Sequence, residues 1–207
     1  DRTSTGRGAV SAKTLKQLAA YDYSGGPDVW FDFEEQPSDE TRTSVLTLQT
    51  LLATMLDSSS SIEFAIETKH QTRYGKYVEE SLMDLRRHFG LTRTRGDEQP
   101  RARVMSFSRV AVGRVSELSP DTPTVLLLED VPRRMRDGSL PEGVRGVGPS
   151  IEIIRAHPHF VSKVHARGGF VHVWTVDEKA DVELCLELGV DAVITNRPAR
   201  VLEMLGR

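Results

Sequence analysis

From residue 61 onward, hydrophobic and polar positions switch repeatedly between two periods. Short β-branched runs, in which alternate side chains share a face, give way to stretches whose apolar residues recur every three or four positions, as on a helix with one buried side. This pattern predicts strands over 61–67, 103–107, 124–128, 150–154, 170–176 and 191–195. It predicts helices over 75–89, 110–118, 160–167, 180–188 and 197–205 between and after them. In the first helix Val78, Leu82, Leu85 and Phe89 form the stripe and Gly90 supplies a stop; in the last, Pro198 suits the first turn. Strand-then-helix order implies parallel pairing through crossover helices, hence an α/β architecture.

Upstream the signal is less regular. Residues 1–8, rich in hydroxyls and glycine, read as a loop, followed by a helix over 12–21 that Ser11 can cap. Residues 24–45 carry Pro27, Pro37, Trp30, Phe31 and Phe33 without a sustained period, and read as a surface excursion that its aromatics anchor or that serves as a lid. A short helix follows over 47–56, with Leu48, Leu51 and Leu52 on one stripe. Residues 131–148 read as a basic loop. The six expected strands would suit an open doubly wound sheet, but the Gly-rich turn of that fold is nowhere visible. A TIM-type (β/α) barrel closes with eight strands, so this chain, read as a single such domain over 1–207, would lack the first two. Six strands alone would leave apolar edges open, which predicts pairing into an oligomer or aggregation.

Composition narrows the class. With 27 basic and 30 acidic residues the net charge is −3, so no broad basic balance recommends a nucleic acid partner. The single cysteine, Cys185, excludes an internal disulfide framework, is expected to pack on an apolar helix face, and favours a reducing, cytoplasmic compartment. No apolar run is long enough for a membrane span.

Candidate chemistry lies at the ends of strands. In Ile66-Glu67-Thr68-Lys69 the carboxylate and the ammonium share one face. The plainer reading is a strand-end salt bridge; the sharper is a ligand for Mg²⁺ or Ca²⁺ beside a cation facing phosphate. Glu129, after the apolar run 125–128, is a further acidic candidate, and Trp174 is a core aromatic or an apolar wall at a strand exit. Among the histidines, His88, His157, His159 and His165 fall on or beside helices and read as surface groups. His172 shares a strand face with Trp174 and reads as a hydrogen-bonded interior group; His70 adjoins Lys69 and points to the opposite face of that strand unless a turn brings it to the mouth.

Several of these stretches resemble the glycerophosphodiester phosphodiesterase family. Gly169-Phe170-Val171-His172-Val173-Trp174-Thr175-Val176, and then Gly189-Val190-Asp191 with Thr195-Asn196-Arg197-Pro198, are similar to the family's C-terminal signature, in which a strand ending Trp-Thr-Val precedes a strand ending Thr-Asp-x-Pro. Asn196 stands where the commoner residue is Asp. Glu67-Thr68-Lys69 resembles its Glu-x-Lys strand end, Ser106-Phe107 its Ser-Phe strand end, and Arg2-Thr3-Ser4-Thr5-Gly6-Arg7-Gly8 its Arg-Thr-Thr-x-Gly-x-Gly loop.

The resemblance implies a metal-dependent hydrolase in a TIM-type (β/α) barrel that splits a small-molecule glycerophosphodiester into glycerol 3-phosphate and an alcohol. In such an enzyme Glu67 would bind a divalent ion (Mg or Ca), Lys69 would neutralise the phosphate, and Trp174 and, more weakly, Phe107 would wall the substrate. The family's two acid–base histidines and its Glu-x-Asp ligands precede the Arg-Thr-Thr loop, with which this sequence begins. A phosphodiesterase and a non-catalytic, phosphate- or partner-binding relative are therefore both open at this point, with a phosphoinositide-specific lipase as a third class.

Overall fold

The computed structural model describes residues 4–23, 44–59, 61–70, 74–92 and 100–206. Two compact units result, Asp1–Ser60 and Ser61–Arg207, each considered by itself.

In the first unit the helix expected over 12–21 is shorter and starts later. A 3-10 turn, Val10–Ala12, precedes α1, Leu15–Leu18. Thr14 rather than Ser11 caps α1, through a reciprocal exchange in which its hydroxyl accepts from Gln17 N and the Gln17 side chain accepts from Thr14 N. Thr47 likewise caps α2, Leu48–Ser58. Thr5 and Asp22 are tied twice, Thr5 N to the Asp22 carbonyl and Asp22 N to Thr5 Oγ1, each at 3.0 Å. Most of the excursion expected over 24–45 (24–43) lies outside the described residues.

The second unit is a parallel sheet in chain order: β1 Phe64–Glu67, β2 Ala102–Ser106, β3 Thr124–Leu128, β4 Gly146–Pro149, β5 Phe170–Trp174 and β6 Ala192–Ile194. The helices α3 Tyr77–His88, α4 Arg109–Leu118, α5 Ile151–Ala156, α6 His159–Ala166, α7 Lys179–Glu187 and α8 Pro198–Met204 follow their strands as crossovers require. In a flat sheet β2 and β5 would lie three strand spacings apart, roughly 14 Å. Instead Arg103 Nη1 and His172 Nε2 meet at 3.1 Å, and the rings of Phe107 and Trp174 at 5.3 Å, so the sheet curls as the wall of a (β/α) barrel does.

The two faces of the sheet explain the strand composition. Leu126, Val147, Val171 and Val173 turn outward beneath the helices and join a buried core with Ile151, Ile154, Phe160, Val164 and Val182. Each such side chain stabilises the fold by roughly 1.5–3 kcal/mol. Cys185 is in this core, where burial pushes its thiol up to about 11. The concave face carries a smaller apolar cluster of Met105, Val125 and Leu127, with Phe170, Trp174 and Ile194 against it.

Two expectations are corrected. The fourth strand is not 150–154; it is Gly-Val-Gly-Pro over Gly146–Pro149, and the Ile-rich run after Ser150 is α5. Glycine is a poor strand former in general, but here the concave side is too crowded for anything larger. A Cβ on Gly146 would strike the Phe170 ring, and one on Gly148 would come within 2.5 Å of Leu127 Cδ2. On α3 the buried positions are Glu79, Leu82, Met83 and Arg86; of the expected stripe Leu82 is buried, while Val78, Leu85 and Phe89 are half-buried. The buried face begins and ends with charged residues that have partners inside, so its hydrophobic pattern is misleading.

Candidate active site at the carboxyl ends of the strands

Parallel strands put all their carboxyl ends on one rim, where ligands of β/α barrels bind. Glu67 ends β1 opposite Met105 of β2, and in-register residues of neighbouring strands share a face. Its carboxylate is therefore on the concave side, above the apolar cluster that includes Trp174. The strand end is pinned from β2: Thr68 N donates to the Met105 carbonyl at 2.8 Å, and the buried Ser106 hydroxyl donates to the Thr68 carbonyl at 2.8 Å. Ser106 Oγ also accepts from Ser108 N, and Ser108 in turn caps α4. Ser106 thus locks two neighbouring rim segments together.

Lys69 Nζ lies 2.8 Å from the buried Oε1 of Glu67, an ion pair off the hydrogen-bond direction, and among the described residues that oxygen accepts no hydrogen bond. The ammonium is 83% exposed and the carboxylate 26%. A carboxylate oxygen shielded from water and met only by an exposed ammonium among the described residues is an incomplete coordination environment.

Across the mouth, Phe107 and Trp174 meet edge to face, with ring planes at 87°. Trp174 is fixed by its indole N–H, which donates to the Gly148 carbonyl at 2.6 Å, and by pairing with Ile194 and Ser150. Phe107 is 44% exposed, an unusual position for a phenyl ring with nothing to contact from solution. Glu129 and Asp130 leave β3 exposed.

The histidines take other roles. His70 turns away to Glu79, a fully buried carboxylate on α3, with Nε2 2.6 Å from Oε1; Arg114 Nη1 stands 3.7 Å from the other oxygen. Nothing in the sequence pattern signals Glu79, which occupies an ordinary first-turn acidic position. His165 pairs with Asp191 at 2.8 Å. His172 is interior: Arg103, which can only donate, hydrogen-bonds Nε2 and also pairs with Glu63. Burial, reinforced by the Arg103 charge, pushes His172 down to about 4, so its ring is neutral. Among the described residues no hydrogen bond or ion pair links a histidine to Glu67 or Lys69.

A curled parallel sheet with crossover helices, its carboxyl rim holding an ion pair and an aromatic corner, defines a (β/α)-barrel fold. The chain belongs to the glycerophosphoryl diester phosphodiesterase family, whose family model matches residues 1–200. It is 38% identical over 200 residues to the probable glycerophosphodiester phosphodiesterase 1 of Mycobacterium tuberculosis, covering 97% of this chain and 72% of that protein. To the glycerophosphodiester phosphodiesterase of Bacillus subtilis it is 28% identical over 202 residues, covering 96% and 66%. A solved phosphodiesterase of Oleispira antarctica, in complex with the product sn-glycerol-3-phosphate, shares the fold with a TM-score of 0.75 at 15% identity, covering 100% of this chain and 76% of that one. No helix among the described residues is long and apolar enough to cross a membrane.

Proposed function

We propose that this chain supplies part of the active site of a metal-dependent phosphodiesterase that hydrolyses glycerophosphodiesters to glycerol 3-phosphate and an alcohol. The observation that carries this reading is the buried Oε1 of Glu67 on the rim, whose partner among the described residues is the exposed Lys69 ammonium. A hard divalent cation such as Mg²⁺ or Ca²⁺ seeks that kind of oxygen, so the residue fits the metal the family implies. Among the described residues no group of three acidic, histidine or cysteine side chains forms a metal cage, so Glu67 is the one ligand assigned here. When bound, the ion would polarise the phosphoryl group and offset the charge that grows on its oxygens.

The chain's own residues bind and orient. A phosphodiester is a monoanion whose non-bridging oxygens gain charge in the transition state, and Lys69 is placed to meet that charge by leaving Glu67 for the phosphate. Ser106 holds the Glu67–Lys69 segment at its height on the rim. Trp174 and Phe107 form an apolar corner against which the glycerol or alcohol carbons lie, excluding water from one side of the phosphate.

The test is Glu67→Gln in the full chain, assayed for metal-dependent release of glycerol 3-phosphate from glycerophosphocholine. Turnover should fall by at least about 100-fold with the melting curve preserved. Unchanged turnover would remove Glu67 from the mechanism. A wild-type chain that binds glycerol phosphate without turnover would favour the non-catalytic relative instead.

A further inference from the structure

Behind the Trp174 wall, the segments that leave β5 and β6 are joined through one side chain. Asp177 Oδ1 accepts from the Thr195 hydroxyl at 2.9 Å and from Asn196 N at 2.8 Å, and Asp177 Oδ2 accepts from Asn196 Nδ2 at 3.0 Å. Below this clasp, Val176 N donates to the Ile194 carbonyl at 2.9 Å and Trp174 pairs with Ile194, so the clasp closes the ladder that carries the indole. Thr195 Oγ1 is committed as well, accepting from Arg197 N at 3.0 Å. Burial alone would raise the Asp177 carboxyl, but the Asn196 and Thr195 donors, with Arg197 nearby, hold it below the usual carboxylate range. The acceptor is thus ionised at neutral pH, and residue 196 faces it with an amide donor. A carboxylate at 196, the residue expected there from the family resemblance, would set two anions about 3 Å apart in this arrangement, which is unfavourable for both.

We propose that Asp177 and Asn196 are a matched pair of positioning residues that fixes the Trp174 wall, and that the identity of either is set by the other. The proposal rests on the reading of Trp174 as a substrate wall only for its kinetic consequence; the pairing itself is a statement about geometry. Neither residue reacts. Their service is to keep the β5 and β6 exits at one spacing, so that the indole stands where the diester's carbons arrive.

The experiment is a reciprocal-swap cycle in the full chain: Asn196→Asp, Asp177→Asn, and the double variant Asp177→Asn with Asn196→Asp. Glycerophosphocholine kinetics and indole emission are read in a Trp30→Phe background, in which Trp174 is the sole indole. Asn196→Asp should raise KM about five- to tenfold with a smaller change in kcat, and shift Trp174 emission to the red. The double variant, which exchanges donor and acceptor, should return both readouts to within about twofold of wild type. Additive effects in the double variant, or no effect of Asn196→Asp on emission, would overturn the pairing. Should Asn196→Asp fail to fold, recovery of folding in the double variant supports the pairing and continued failure refutes it. Trp174→Ala separates the two ideas. An unchanged KM there refutes the wall, and the emission cycle still decides the pair.

Discussion

The two ends of the curled sheet treat their polar groups in opposite ways. At the amino ends of the strands most polar groups are engaged, the buried Nε of Arg86 excepted. Arg86, buried without a carboxylate partner among the described residues, donates to the carbonyls of Leu91 and Ala102 and to Thr122; Thr124 donates to the Gly143 carbonyl; Asp191 binds both His165 and Val171 N. At the carboxyl ends, among the described residues, the buried Oε1 of Glu67 is met only by the exposed Lys69 ammonium, the buried Thr68 hydroxyl has no partner, and Phe107 presents its ring. Unmet capacity gathered mainly on one rim is what a barrel with one working face requires, because an unsatisfied buried group costs stability and is kept where a ligand can complete it. Asp177 qualifies the contrast. It sits on the working rim yet is fully engaged, as suits a group that positions rather than binds.

That contrast can be broken in order of expected effect. Lys69→Ala should reduce kcat/KM for glycerophosphocholine by about 10²–10³-fold with no loss of thermal stability, measured by steady-state assay and melting; a loss in stability with unchanged kinetics would move Lys69 to the structural side. Next in size is an acid effect at the interior histidine. His172 is held near 4 in the folded chain against 6.5 for a free imidazole, so the unfolded chain takes up the proton first. Stability from this site is complete above about pH 6.5 and declines as the pH falls toward 4, by roughly 3 kcal/mol in all. Urea titrations across that window check it, and His172→Gln should flatten the curve. Smaller again, Arg86→Leu should cost about 2 kcal/mol in denaturant unfolding while kcat and KM stay at wild-type values. A kinetic defect without destabilisation would erase the division between the two ends.

The sequence pattern alone located five of the six strands and the residues of the rim, because β-branched runs ending in charged or aromatic residues survive into the structure with little shift. It misplaced β4, whose glycines are required by the Phe170 ring and Leu127 side chain of neighbouring strands, a reason invisible to local propensity. It read Ile151, Ile153 and Ile154 as a strand because β-branching outweighed the helix start that Ser150 marks. The Glu79 and Arg86 burials escaped for a related reason: a charged side chain at helical spacing looks solvated until its partner, which comes from another segment, is known. Asn196 was visible as a departure, but its meaning needed Asp177, nineteen positions earlier, to be seen accepting its amide.

One further consequence comes from Cys185. It is the chain's sole thiol, sealed at 2% exposure beneath α7 and kept protonated by its apolar surroundings. A maleimide or disulfide reagent therefore has nothing to attack until the helix layer lifts away. Its labelling rate becomes an internal clock for opening of that layer, readable in any variant without adding a probe.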